Sequence, residues 1–239
     1  MATSLAVAVR NAGYNVRQVF SRTMESAERL AARVGAEAIT DVAQIGEADF
    51  YIYCLKDDVL AEISNMPFDR GIHLHTSGTC GMDHFAQAGC RAYGVVYPLM
   101  TFTRNCLVDF RNVPLFVEAN DAETQERIEA LARQISVNVQ PLTSERRARI
   151  HIAGVMANNF VNALLGMAEQ ELKEVGLGMD VVMPLVNETV RKAADGNVAA
   201  NQTGPAVRGD VRTIEAHREL LKDKPEVRRV YEAITDYIL

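Results

Sequence analysis

No stretch of the chain is rich in Lys or Arg, and the formal net charge is −6. The basic footprint that a nucleic acid demands is therefore missing, and no nucleic-acid partner is expected. Membrane spans are not expected either: the most apolar stretch, 150–168, carries His151, Asn158, Asn159 and Asn162, each costly in lipid. The opening MATSLAVAV has no basic start and no cleavage site after its short apolar run, so it does not read as a signal peptide. Cys54, Cys80, Cys90 and Cys106 show neither CxxC spacing nor the pattern of a disulfide framework, which points to a reducing, cytoplasmic compartment. His73, His75, Cys80, His84 and Cys90 match no closed zinc pattern, and no metal is expected.

What remains is an ordinary soluble composition, 48% apolar and 23% charged over 239 residues, enough for one large domain or two of usual size. Helix and strand patterns alternate in the first part. Ala2 to Ala12 reads as a helix closed by Gly13, Asn15 to Phe20 as a strand, and MESAERLAARV as a helix closed by Gly35. Ala36 to Ile39 and Asp49 to Leu55 read as strands, with a short helix to Ser64 after Lys56-Asp57-Asp58. Gly71 to His75, Tyr93 to Tyr97 and Pro114 to Glu118 are further strands, followed by a helix over Ala122 to Ile135 and a short strand over Val137 to Gln140. Such alternation predicts a mostly parallel, doubly wound α/β sheet.

From Thr143 onward every pattern is helical: a long helix, then Val181 to Ala194, Asp210 to Leu221 and Pro225 to Ile238. The expected division is a sheet domain over 1–142 and an all-α domain over 143–239. The long helix, Ser144 to Val175, has no Pro, a ready N-cap in Thr143 or Ser144, and a stop at Gly176. It would span roughly 48 Å at the α-helical rise. Apolar nearly all round, it reads as buried on every side. Positions i, i+7 and i+11 share a face of an α-helix, so His151, Asn158 and Asn162 are expected to line up, with Asn159 beside them.

Several residues could carry chemistry. Ser21, Arg22 and Thr23 follow a strand and open a helix, where a dinucleotide-binding unit meets the adenosine ribose; a guanidinium and hydroxyls suit a 2′-phosphate. A solvated turn with a helix cap would account for the same residues. Leu55 and Lys56, and Thr76, Ser77 and Gly78, sit at the ends of parallel strands, where such sheets bind ligands. The strand and G-x-G-x-x-G turn that should precede the first helix are not in the sequence, and an apolar strand with a glycine-rich turn is expected upstream of Met1. The loop QTGPAVRGD ends in Asp210, the expected N-cap of the next helix.

SRTMESAERLA, YIYCLKDDVL, HLHTSGT, YPLMTF, PLFVEA, HIAGVMANNFVN and QTGPAVRGD occur in this order. Together they resemble Rossmann-like bacterial proteins with a DUF2520 domain, provisionally labelled NADP oxidoreductases and similar to the F420-dependent oxidoreductase and pyrroline-5-carboxylate reductase group. The resemblance implies an NADP-binding domain and a helical, 6-phosphogluconate dehydrogenase-like C-terminal domain that helps form a homodimer. It names no substrate. The wider β-hydroxyacid dehydrogenase group carries a Lys three residues before a paired Asn on the long helix; Asn158-Asn159 match the pair, but the Lys position holds Val155. His151 lies one helical turn earlier and could replace that acid; a structural His bonded to the sheet is the alternative.

The sequence thus leads to an NADP-dependent oxidoreductase of a small carbonyl or imine substrate. His151 and Asn159 would be catalytic, and Ser21, Arg22, Thr23, Leu55, Lys56, Thr76, Ser77 and Gly78 would border the cofactor. The competing reading is a non-catalytic dinucleotide-binding or interaction protein.

Overall fold

A computed structural model describes residues 1–60, 70–103 and 106–239. Two compact units emerge, Met1–Asn159 and Phe160–Leu239. The first begins with helix α1 (Ala2–Asn11), strand β1 (Gln18–Phe20), helix α2 (Met24–Val34) and strand β2 (Glu37–Ile39). It continues through β3 (Phe50–Tyr53), α3 (Asp57–Leu60), β4 (Ile72–His75), α4 (Asp83–Gln87) and β5 (Ala92–Pro98). Strand β6 (Leu115–Ala119), α5 (Ala122–Ile135), β7 (Val139–Pro141) and α6 (Ser144–Gly154) complete it. The expected end of the α3 helix, near Ser64, lies outside the described residues.

The strands form two sheets rather than one. β1 and β2 pair in parallel, and β3-β4-β5-β6-β7 make a five-stranded sheet in that order. Within it only β5 and β6 run antiparallel. Period-2 alternation sorts the residues to its faces. Ile72, Leu74, Val96, Leu115 and Val117 point to one side, where Leu5 and Val9 of α1 and Ile128, Leu131 and Ala132 of α5 cover them. Val95, Tyr97 and Phe116 point to the other, against Ile150 of α6. A sheet clothed on both faces explains the near-continuous apolar strands. Helix α1 also reaches the small sheet, where Ala6 and Val7 pack with Val19, Ala31 and Val34. It is an apolar bridge between the two sheets.

Local signals place the helix ends. Gly35 takes φ +70°, closing α2 as a left-handed C-cap. The carboxylate of Asp121 accepts from Thr124 N and caps α5. Helix α4 went unread in the sequence, since five residues are too few to show a helical period.

In the second unit, α7 (Val161–Glu174), α8 (Met183–Ala194), α9 (Val211–Leu220) and α10 (Pro225–Ile238) follow one another, with a long connection over 195–210 between α8 and α9. Asp210 caps α9 as expected, accepting from Thr213 N at 3.1 Å. Lys224 ties the start of α10 to Glu171 and Glu174 of α7.

The long helix departs from expectation in three ways. It is not α-helical throughout: Val155–Phe160 forms a π-helix, whose i→i+5 bonds take an extra residue per turn. The 100° step that aligned His151 with Asn158 and Asn162 therefore fails across this segment. Nor is it buried on every side, for no residue of Val155–Glu174 is buried. Apolarity all round shows what a helix could bury, and the described residues do not supply the cover. Finally, Ser144–Glu174 is long and apolar enough, by length and composition, to cross a membrane. His151 and the three Asn weigh against that use.

Candidate functional site

Parallel pairing of β3 with β4, Tyr53 opposite His75, brings the two strand ends side by side. Leu55 and Lys56 thus stand next to Thr76, Ser77 and Gly78, as the sequence implied. The Thr79 hydroxyl donates to Asp57 Oδ2 at 2.5 Å and joins the two loops. Hydrogen bonds from Thr79 and its neighbours Ser77 and Cys80 lower the Asp57 pKa, outweighing the desolvation that is the largest single influence and acts the other way.

The Thr76–Gly78 turn is internally occupied. Thr76 Oγ1 donates to Tyr53 O. Ser77 Oγ accepts from the backbone N–H groups of Thr79 and Cys80. Its own N–H donates to His75 Nδ1 at 3.2 Å, while His75 Nε2 faces Gly81 O at 3.1 Å. Burial, followed by the charge of Arg147, pushes the His75 pKa down to about 4. Below the turn, burial pushes the Cys54 thiol up to about 11.

Helix α6 reaches this turn through two side chains one turn apart. Arg147, fully buried, gives Nη1 to Glu118 Oε2 and Nη2 to Cys80 O at 2.5 Å each, and Ser144 Oγ donates to the same carboxylate. A charge so far from water is tolerable only with such a partner. His151 then stands with Nδ1 3.0 Å from the Tyr97 hydroxyl of β5. A Cβ on Gly78 would come within 2.5 Å of His151 Nδ1. Sequence reasoning missed Arg147, Glu118 and Tyr97. Tyr97 carried a usable signal, since alternation along β5 sets it on the same face as Val95, toward the helix.

The remaining residues are not brought into this cluster. Ser21, Arg22 and Thr23 follow β1, in the other sheet. Ser21 N donates to Ile39 O, and the Thr23 hydroxyl makes no cap bond to α2, so capping does not account for it. Arg22 is exposed and has no partner among the described residues. Asn159 is exposed within the π-helical turn, with no hydrogen bond to the cluster.

The sequence matches a domain of unknown function, DUF2520, over residues 113–238, more than half of the chain. The chain belongs to the DUF2520 family. This DUF2520 chain is also 37% identical to a Bacteroides fragilis protein provisionally named an NADP oxidoreductase, covering 99% of this chain and 93% of that one, with a TM-score of 0.90. Two more distant structures share the fold. One is an imine reductase from Myxococcus stipitatus in complex with NADP+, at 13% identity, TM-score 0.68, and coverage of 100% and 89%. The other is a reductive aminase from Aspergillus terreus with NADPH and ethyl-5-oxohexanoate, at 16% identity, TM-score 0.71, and coverage of 99% and 89%. A search of curated proteins finds no match.

Proposed function

We propose that this DUF2520 chain is an NADP-dependent oxidoreductase acting on a small carbonyl or imine substrate, with His151 as proton donor. The observation that carries the reading is the placement of His151. Its Nδ1 is engaged by Tyr97, its Nε2 has no hydrogen-bond partner among the described residues, and it stands against Gly78 beyond the carboxyl end of β4. Ligands of open α/β sheets bind at that edge. The relative's provisional name and the cofactors held by the two distant structures supply the redox chemistry.

Arg22 fits the cofactor: its exposed guanidinium has no partner among the described residues and suits a 2′-phosphate. When bound, NADPH supplies a hydride to the electrophilic carbon. Lys56 and Thr76 to Gly78 border the nicotinamide side, and His151 gives a proton to the oxygen or nitrogen on which charge develops; Asn159, exposed and outside the cluster, has no part in this reading.

NADPH consumption with a panel of keto acids and cyclic imines tests the reading. His151→Gln should cut turnover about 100-fold while NADPH binding and melting temperature hold; unchanged turnover removes His151 from the mechanism. Arg22→Ala should weaken NADPH about tenfold or more and leave NADH nearly untouched. Val155, where the wider group keeps a Lys, favours a second reading, a dinucleotide-binding protein without turnover. Tight NADPH binding with no substrate consumed would select it.

The proposed compartment is the cytoplasm, and the proposed protein partner is a second copy of the chain. In the second unit, Phe160, Val161 and Leu164 are all exposed apolar side chains close together in the chain. Such clustered exposed apolar groups favour an interaction surface. Phe160→Glu should turn a dimer into a monomer in sedimentation; a wild-type monomer would sink the idea.

A further inference from the structure

We propose that Tyr97 is the positioning residue of His151, fixing the imidazole with its proton on Nε2, and that position 78 is glycine to leave room for that ring. This rests on the reading of His151 as proton donor. The Tyr97 ring is buried among Val95, Phe116, Leu99 and Ile150, which gives its hydroxyl one place to stand, 3.0 Å from His151 Nδ1. Burial raises the Tyr97 pKa, so the hydroxyl keeps its proton. A phenol that donates to Nδ1 requires Nδ1 to be bare, and the ring proton must then sit on Nε2. In the imidazolium the Nδ1 proton donates to the same oxygen after the hydroxyl rotates. One geometry therefore serves both charge states, and the ring need not swing as the proton leaves.

Gly78 supplies the other wall. A Cβ there would lie 2.5 Å from His151 Nδ1, 2.8 Å from its Cγ and 3.0 Å from the Tyr97 ring. Gly78 is not among the glycines with positive φ, so space, rather than backbone conformation, demands it. The contact is not needed to hold α6 on the sheet. Arg147, one turn earlier, already does that through Glu118 and Cys80. The Tyr97–His151 bond is left with orientation as its role.

Histidine ring nitrogens report their tautomer directly in two-bond 1H–15N correlations. In 15N-histidine-labelled full-length protein there are five histidines, and His151→Gln identifies the one of interest. At alkaline pH, His151 should show a protonated Nε2 and a bare Nδ1. Tyr97→Phe should convert this to a tautomer mixture with the other histidines unmoved. Gly78→Ala, which leaves both partners intact, should do the same and serves if Tyr97→Phe does not fold. A wild-type ring protonated on Nδ1, or a tautomer that survives both substitutions, overturns the proposal. With NADPH and a five-membered cyclic imine as probe, Tyr97→Phe should lower kcat on the order of tenfold and hold KM within about twofold. A fall in neither, alongside active wild type, overturns it too. Wild type with the fixed tautomer but no turnover of probe imines supports the positioning and overturns the oxidoreductase reading, so the two failures are distinguishable.

Discussion

Acid should destabilise this protein through His75 before its carboxylates matter. Nδ1 of this fully buried ring accepts from Ser77 N and Nε2 donates to Gly81 O, so the neutral imidazole is satisfied at both nitrogens. A second ring proton would set Nδ1–H against the Ser77 N–H. It would also face the guanidinium of Arg147 and lie near His84, with the Gly81 carbonyl and Asp57 too weak in its favour to offset them. The folded pKa of about 4 compares with 6.5 for an unperturbed imidazole. Between those values the unfolded chain binds a proton that the folded one refuses, so stability falls as pH drops from 6.5 toward 4. The gap of about 2.5 units at 1.36 kcal/mol each is about 3 kcal/mol. At this chain length that corresponds to about 6–12 °C in melting temperature. His73, whose pKa burial also lowers, adds in the same direction. Urea unfolding of wild type and His75→Gln at half-unit pH steps from 4 to 7.5 isolates His75. Relative to the variant, the wild type should lose stability as pH drops below about 6.5, the difference levelling to a constant offset above pH 7. Parallel curves would refute the reasoning.

Other perturbations have equally specific expectations. Arg147→Met strands the half-shielded Glu118 carboxylate and should cost about 3–5 kcal/mol in urea unfolding; less than about 1 kcal/mol would mean the pair is solvated. Gly94→Ala drives a Cβ into Glu118 O and Ile128 Cδ1, where β5 meets β6 under α5. It should lower stability by about 1–3 kcal/mol or more, and an unshifted melting curve would contradict the packing. Ser136→Ala removes a buried hydroxyl that donates to Val113 O at 2.7 Å and accepts from Asn138 N. A loss of about 1–3 kcal/mol is expected, read from the same denaturant titration.

The legible parts of the fold were those with local causes. α5 and α10 begin and end where their patterns predicted, because a capping Asp121 and a leading Pro225 announce them. Of the candidate site, only the meeting of strand ends was legible: Leu55, Lys56 and Thr76 to Gly78 converge because parallel pairing forces them to. What was hidden depended on distant contacts. Arg147 reads as a solvent-facing charge on an amphipathic turn, and nothing near it in sequence names Glu118, 29 residues away, as its partner. The π-helical segment of Val155–Phe160 is invisible for another reason. It differs from α-helix in which carbonyl each N–H selects, and the same apolar residues suit either choice.

Helix α1 joins two sheets that share no strand pairing, and this sets the order in which the protein loosens. A two-stranded ribbon such as β1–β2 is marginal by itself, so its persistence depends on Ala6 and Val7 pressing on Val19 and Val34. When α1 lifts, that ribbon keeps only α2, through Leu30, Ala31 and Val34, whereas β4 to β6 keep α5 over one face and α6 over the other. The backbone amides of 2–39 should then exchange with solvent deuterium as one cooperative group, well ahead of those in β4 to β6.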